Sequence, residues 1–450
     1  MVEDQPGQLE HDPRSVVNER LGRQVVRYPD LAIESMNTRS RQLEARELAF
    51  ARALESSVLC RWRTLEHLVS ACSKRSWARI EPPLRGALLA GAAQVMLMDS
   101  VPDHAAVDET VEWCKRRVRP DSGRFVNGVL RGLIRLRGEV IGAEDERARC
   151  WWLHRDVVPL ADGRALGLER KTLPDDPASR LAVQSSIGDE LISSWIASAG
   201  WERTLDRCAH CLMTPPLMIA GADGAFEVWT GGLSGLRERL AAEPGSRVQD
   251  PTAASAVEST RGLSPSCIVD FCAGRGTKTG QLAGVHPGAR VLAGDANEER
   301  RCELATTFDD DPRIEVVEPR RYGSVLGSVD LLVLDVPCSN SGVLPRRPQA
   351  RYRANRRRMK SLRTLQREIV EESIPLLAPG AHLLYSTCSL ETAENEEQVD
   401  WLVRKFDARV VIQNRIEPQG RPGDEDRGYR DGGFHALLTR EAPRSPDESC

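Results

Sequence analysis

The sequence predicts an all-helical domain followed by an α/β domain whose mostly parallel sheet has seven strands. Between residues 39 and 140, apolar residues recur at helical spacing. From about residue 246, seven short apolar runs alternate with helical or basic segments, the pattern of strands joined by crossovers. The length of 450 residues also exceeds the ~250–300 at which single cores stop growing, so more than one domain is expected.

Residues 1–38 are polar and poor in aromatics, and read as an extension of little structure. In the helical domain, Leu84, Leu88, Gly91, Val95 and Met98 share one face. A second helix carries Val107, Val111, Cys114 and Val118, with Asp103 as its N-cap, and RFVNGVLRGLIRL forms a third. Residues 141–245 read as a linker with Pro-rich pieces such as LPDDPASR, then a small connecting subdomain. The strands expected in the last domain, 246–441, are CIVDFC, ARVLAGD, RIEVVE, VDLLVLDVP, AHLLYSTCS, ARVVIQ and GFHALLTR, followed by a tail at 442–450. Such a sheet, covered on both faces, binds its ligand at the C-terminal ends of its strands.

Composition narrows the function. No apolar run approaches the ~20 residues of a membrane span, and the polar, acidic N-terminus has no hydrophobic signal core, so a cytoplasmic protein without a membrane partner is expected. Twelve scattered cysteines suit a reducing compartment. Cys208 and Cys211 form a lone CxxC in a helical segment, which reads as core packing; no metal site and no obligate protein partner are inferred. A net charge of −4 argues against indiscriminate nucleic-acid binding. Yet ten cations and no acid lie between Asp335 and Glu368: Arg346, Arg347, Arg351, Arg353, Arg356, Arg357, Arg358, Lys360, Arg363 and Arg367. Charge runs are usually solvated helix faces. This one begins where a strand presents Cys338, which favours contact with phosphates.

The chemistry gathers at strand ends. The first strand runs into DFCAGRGTKTGQLA, where Gly274, Gly276 and Gly280 let the backbone approach a ligand, and Asp295 ends the next strand in place to accept from a ribose. That combination fits NAD, FAD or S-adenosylmethionine, and the spacing G-x-G-x-x-x-G turns away from a dinucleotide. The fourth strand delivers Asp335, Pro337 and Cys338, and the fifth delivers Thr387 and Cys388. One cysteine in an apolar strand is usually a buried hydrophobe. Two leaving adjacent strand ends beside a cofactor turn suggest chemistry. Carbon-5 of cytosine becomes nucleophilic once a thiolate adds at carbon-6, an addition that protonation at nitrogen-3 assists; the carbon-5 proton must later be removed so that the thiol leaves. Asp335 suits the protonation, Cys338 the release and Cys388 the attack.

The segments VQDPTAAS, DFCAGRGTKT, LDVPCSNSGVLPRRPQARYR, LQREIVEESIPLLAPG, LLYSTCSLETAENEEQV and DGGFHALL resemble successive motifs of the RNA cytosine-5 methyltransferases of the Sun/Nol/Nop type. Upstream, ARELAFARAL, LRGALLAGAAQVMLMDSVPDHAAVDETVEWCKR and RFVNGVLRGLIR resemble the NusB-like RNA-binding domain that precedes the catalytic domain in the bacterial small-subunit ribosomal RNA methyltransferase B group. The resemblance implies a Rossmann-like class I methyltransferase fold, S-adenosyl-L-methionine as cofactor, and RNA, ribosomal RNA first, as partner. It puts the nucleophile on Cys388 and release on Cys338. The cofactor falls on Cys272, Ala273, Gly274, Arg275, Gly276, Thr277 and Lys278, with Asp295 at the ribose and Asp335 at the methionine side. This chain departs from the family's Ala-Pro-Gly-Gly-Lys-Thr: Arg275 sets a cation beside a cationic cofactor unless it turns to solvent or RNA. The acidic contact expected after RIEVVE is replaced by PRRYGS. Two rivals remain at this point: a non-catalytic RNA-binding factor with a degraded cofactor turn, and the same chemistry on transfer RNA.

Overall fold

A computed structural model describes residues 12–32 and 43–440, and the tail at 442–450 lies outside them. The chain divides into two compact units. The first holds residues up to 214 together with 344–354 and 421–424; the second holds the remainder from 215 onward.

In the first unit, α1 (Pro13–Arg27), α2 (Ala45–Cys72), α4 (Asp103–Arg117) and α5 (Ser122–Leu136) pack around α3 (Pro82–Leu97). Of the predicted face, Leu84, Leu88, Gly91 and Val95 are buried, while Met98 caps the end of α3 and is half-buried; Leu89, Ala92, Ala93 and Met96 on its other sides are buried too, which makes it the central helix. The expected polar extension needs correcting. Asp12 caps α1 by accepting from the Ser15 N–H at 2.9 Å, Pro13 occupies the first turn, and Val16, Val17, Leu21 and Val25 enter the core. A Cβ on Gly86 would lie 2.5 Å from the Gly22 nitrogen, so the backbones of α1 and α3 touch. Asp103 is not an N-cap either: Pro102 holds that position, and Asp103 pairs with Arg137 at 2.6 Å.

The stretch read as a linker also has structure. β1 (Arg137–Ile141), β2 (Val157–Pro159) and β3 (Ala165–Leu168) form a small sheet with β3 in the middle, and α6 (Glu146–Arg149) lies between the first two. α7 (Pro177–Ser185), α8 (Asp189–Ala199) and α9 (Trp201–Cys211) complete this part of the unit, with Cys208 and Cys211 buried.

The second unit opens with β4 (Met218–Ala220), β5 (Phe226–Val228), α10 (Gly232–Ala242) and β6 (Arg247–Val248), a three-stranded sheet of order β5-β4-β6 with one helix. α11 (Pro251–Glu258) then leads into the main sheet. Its strands are β7 (Cys267–Asp270), β8 (Arg290–Ala293), β9 (Ile314–Val316), β10 (Val329–Asp335), β11 (Leu377–Thr387), β12 (Ala408–Ile416) and β13 (Gly433–Arg440). These are the seven expected strands. Their order is β12-β13-β11-β10-β7-β8-β9; β13 runs antiparallel to both neighbours and the other pairs are parallel. Both faces are apolar: Val269, Leu292, Leu332 and Leu383 fill one core, and Ile268, Val291, Leu331 and Leu384 the other. The chain crosses over between β9 and β10, so the switch point lies between β7 and β10, where crevices form at strand C-termini. No helix of the described residues is long and apolar enough to cross a membrane.

Candidate active site

β7 ends at Asp270, and the chain turns through Phe271–Gly276 into α12 (Thr277–Val285). Gly274 (φ +60°) and Gly276 (φ +86°) lie in the left-handed region that only glycine enters freely. The turn is tied to the end of β8 by Gly294 N–H to the Asp270 carbonyl (2.9 Å) and Ala273 N–H to the Gly294 carbonyl (2.8 Å). Asp295 accepts from Gly274 N–H at 3.1 Å and Asn297 N–H at 2.8 Å, which fixes its carboxylate beside the glycine turn. Among the described residues, nothing beyond its chain neighbours lies within 4 Å of a Cβ built on Gly274, so the turn is open there.

Asp270 was missed by sequence reasoning. It is fully buried and accepts from Thr279 Oγ1 at 2.7 Å, while its Oδ1 has no partner among the described residues. Burial pushes its carboxyl up to about 7; Thr279 and Lys278 oppose the shift, and Asp335 and Asp295 add to it. Cys272 is pushed up further by burial and by the same carboxylates, which makes it a neutral thiol. Asp270, Asp295 and Asp335 therefore place three carboxyl groups around the turn, Asp295 paired with Arg300 at 3.4 Å and Asp335 with Lys278 at 2.7 Å, and a sulfonium cofactor would favour their ionised forms. Arg275 does not oppose this: its side chain is 79 % exposed and pairs with Glu303 at 3.0 Å on α13 (Glu298–Thr307). Thr277 is exposed at the start of α12. Glu318, the nearest acid to the missing third contact, is exposed and pairs with Arg321 at 3.8 Å.

The parallel register sets Asp335 opposite Ser386, whose hydroxyl donates to Asp335 Oδ1 at 2.8 Å. Lys278 Nζ donates to Asp335 Oδ2 at 2.7 Å. Burial pulls the Lys278 ammonium down, but the Asp335 carboxylate and Cys388 outweigh it and leave it raised. Asp335, read from sequence as a proton donor, is thus an ion-paired acceptor, and Lys278 holds the proton. Just beyond the strand ends, the Sγ atoms of Cys338 and Cys388 lie 3.2 Å apart. Cys388 Sγ also donates to Asn340 Oδ1 at 3.2 Å. Asn340 adopts φ +61° and braces the turn through Nδ2 to the Cys338 carbonyl at 2.9 Å. A Cβ on Gly342 would lie 2.5 Å from the Gly432 carbonyl oxygen, and Gly342 N–H donates to the Cys388 carbonyl at 2.9 Å. The two thiol turns and the glycine pair ahead of β13 therefore meet backbone to backbone.

The basic segment divides. Arg351, on α14 (Ala350–Arg353), is buried in the first unit; it donates to the carbonyls of Cys60 at 2.7 Å, Ser185 at 3.3 Å and Cys211. Arg353 donates to the Leu31 carbonyl. On α15 (Arg356–Ser373), Arg363 pairs with Glu397 at 3.0 Å, and Arg367 bonds Gln398 and lies over Trp401. These four arginines are structural, which corrects the reading of all ten as phosphate ligands. Arg356, Arg357, Arg358 and Lys360 stay exposed at the start of α15.

Residues 263–431 match the family described as 16S rRNA methyltransferase RsmB/F, and residues 16–135 match the NusB family. Residues 263–431 thus form a catalytic region of the RsmB/F RNA (cytosine-5-)-methyltransferase type, with a NusB-type region ahead of it. A Synechocystis sp. protein named probable ribosomal RNA small subunit methyltransferase B is 26% identical over 92% of this chain and 95% of its own length. The Escherichia coli ribosomal RNA small subunit methyltransferase B is 27% identical over 77% of this chain and 80% of its own. The crystal structure of PH0851 shares the fold, with a TM-score of 0.65 and 16% identity over 95% of this chain and 98% of that one. Asn340 and Asp270, both inside the RsmB/F-type region, had faint sequence signals: a polar SNSG turn after a strand, and an acid closing an apolar run.

Proposed function

We propose that this protein forms 5-methylcytosine in small-subunit ribosomal RNA through a covalent Cys388–cytosine intermediate. The observation that carries the reading is the thiol pair at 3.2 Å beside the Lys278–Asp335 ion pair. Cys388, as thiolate, adds to carbon-6 of a cytosine turned out of its stack while nitrogen-3 takes a proton from Lys278, which Asp335 orients. The turn Cys272–Lys278, with Asp295 and Asp335, would hold S-adenosylmethionine, whose sulfonium–methyl bond would break as carbon-5 takes the methyl group, leaving S-adenosylhomocysteine, and the nitrogen-3 proton would return to Lys278. A base then removes the carbon-5 proton, the electron pair restores the carbon-5–carbon-6 double bond, and the Cys388 thiolate leaves; Cys338 assists this release. The outward Arg275 supports a working cofactor turn over a degraded one. RNA binding is supported on the NusB unit by exposed Lys74, Arg79, Arg124, Arg131 and Arg135 near the end of α2, where Arg75 lies over Phe125 at 4.5 Å.

The test is methyl transfer from radiolabelled S-adenosylmethionine to purified 16S ribosomal RNA and to transfer RNA, with bisulfite sequencing of the product. Transfer to the ribosomal RNA is expected; transfer only to transfer RNA would move the substrate. Cys388→Ala is expected to lower the rate by at least about 10³-fold while cofactor binding persists in calorimetry, and Cys338→Ala to accumulate a protein–RNA adduct that survives denaturing gels. No cofactor binding by the unaltered protein would sink the enzyme reading.

A further inference from the structure

We propose that Glu394 is a positioning residue that decides which of the two thiols carries the negative charge, holding Cys338 as a thiol and leaving the thiolate to Cys388. The inference rests on the reading of Cys388 as nucleophile. Two thiols 3.2 Å apart cannot both ionise cheaply, because like charges so close disfavour the second ionisation. Something must set the order of ionisation, and the two sides of the pair differ in charge.

Glu394 is fully buried in the turn between β11 and α16 (Glu396–Phe406), and no cation bonds it among the described residues. Its Oε1 accepts from Ser339 N–H and Gln366 Nε2, each at 3.0 Å; its Oε2 accepts from Ser339 N–H at 3.1 Å and Ser389 Oγ at 2.6 Å. Ser339 follows Cys338 and Ser389 follows Cys388, so one carboxylate is pinned to both thiol turns. These partners are all donors, which suits an ionised carboxylate. A buried charge is costly without such partners.

The groups around it point the same way. The Cys338 thiol is held well above its ordinary range by the hydrogen bond it donates to Cys388, by burial and by the charges of Cys388 and Glu394, with only the Asn340 backbone opposing. Glu394 is itself raised by burial and by Glu391, and lowered by the Ser339 and Ser389 donors; Tyr385 Oη donates to its backbone carbonyl at 2.8 Å. On the far side, Lys278 responds to Cys388. His435, pushed down to about 4 by burial and Lys278, adds no charge at neutral pH. Cys338 thus faces an anion and Cys388 a cation.

The test is alkylation of the full chain by iodoacetamide from pH 6 to 10, with the Cys338 and Cys388 peptides quantified by mass spectrometry. In the unaltered protein Cys388 labels first at neutral pH; equal labelling, or Cys338 first, overturns the proposal. Glu394→Gln keeps the shape and removes the charge. It is expected to move the Cys338 profile about one pH unit lower, roughly tenfold faster labelling at a given pH, with the thermal melt showing the variant folded. An unchanged Cys338 midpoint in the folded variant also overturns the proposal. Neither RNA nor cofactor is needed, so loss of methyl transfer with the labelling order intact would count against the function alone.

Discussion

Asp270 shows how one residue couples the cofactor turn to stability. Its folded-state value of about 7 against an ordinary 3.8 means that the folded protein binds this proton more tightly than the unfolded chain does. That stabilisation is complete below about pH 4 and is lost as pH rises through 7, a difference of roughly 4 kcal/mol at most. Asp270→Asn has no such proton. In urea unfolding of the cofactor-free protein, the variant is therefore expected to gain on the unaltered protein between pH 4 and pH 8; a difference independent of pH would contradict the assignment. A bound sulfonium would pull the carboxyl back down, so the same comparison with cofactor present should show a smaller pH dependence.

At the scale of elements, the glycine turn between β7 and α12 is the most constrained feature. A Cβ on Gly276 would sit 2.4 Å from the Phe308 ring, at a φ that costs other residues about 1–2 kcal/mol. Gly276→Ala is expected to displace Phe308 and weaken cofactor binding at least tenfold in calorimetry, with the far-ultraviolet spectrum unchanged; unchanged affinity would mean the turn is not part of the cradle. The turn was legible because glycine has few other reasons to recur there. α1 was not, although Asp12 and Pro13 are an N-terminal signal: its buried face includes Ser15, Asn18, Arg20 and Gln24, which mask the apolar stripe. Arg20 is tolerated inside because Glu55 pairs with it at 2.7 Å, a partner 35 residues away that no local pattern announces. The basic segment misled for the same reason. Whether an arginine meets phosphate or a backbone carbonyl, as Arg351 does, depends on residues far off in the chain.

For the whole molecule, the order of a NusB-type helical unit and a seven-stranded catalytic sheet was legible because periodicity changes from helical spacing to short runs near residue 246. The boundaries were not, since residues 344–354 and 421–424 return to the first unit from within the second half of the chain. The pairing of Cys338 with Cys388 was inferable from parallel strand order, but the inward Lys278 and the buried Glu394 required three dimensions. Attack of Cys388 on a cytosine in RNA can be trapped directly. RNA containing 5-fluorocytosine has no removable carbon-5 proton, so with S-adenosylmethionine present it should arrest the reaction as a covalent complex. Digestion and mass spectrometry of that complex should place the nucleotide on Cys388; a nucleotide on Cys338, or no covalent complex while cofactor and RNA are both bound, would contradict the account.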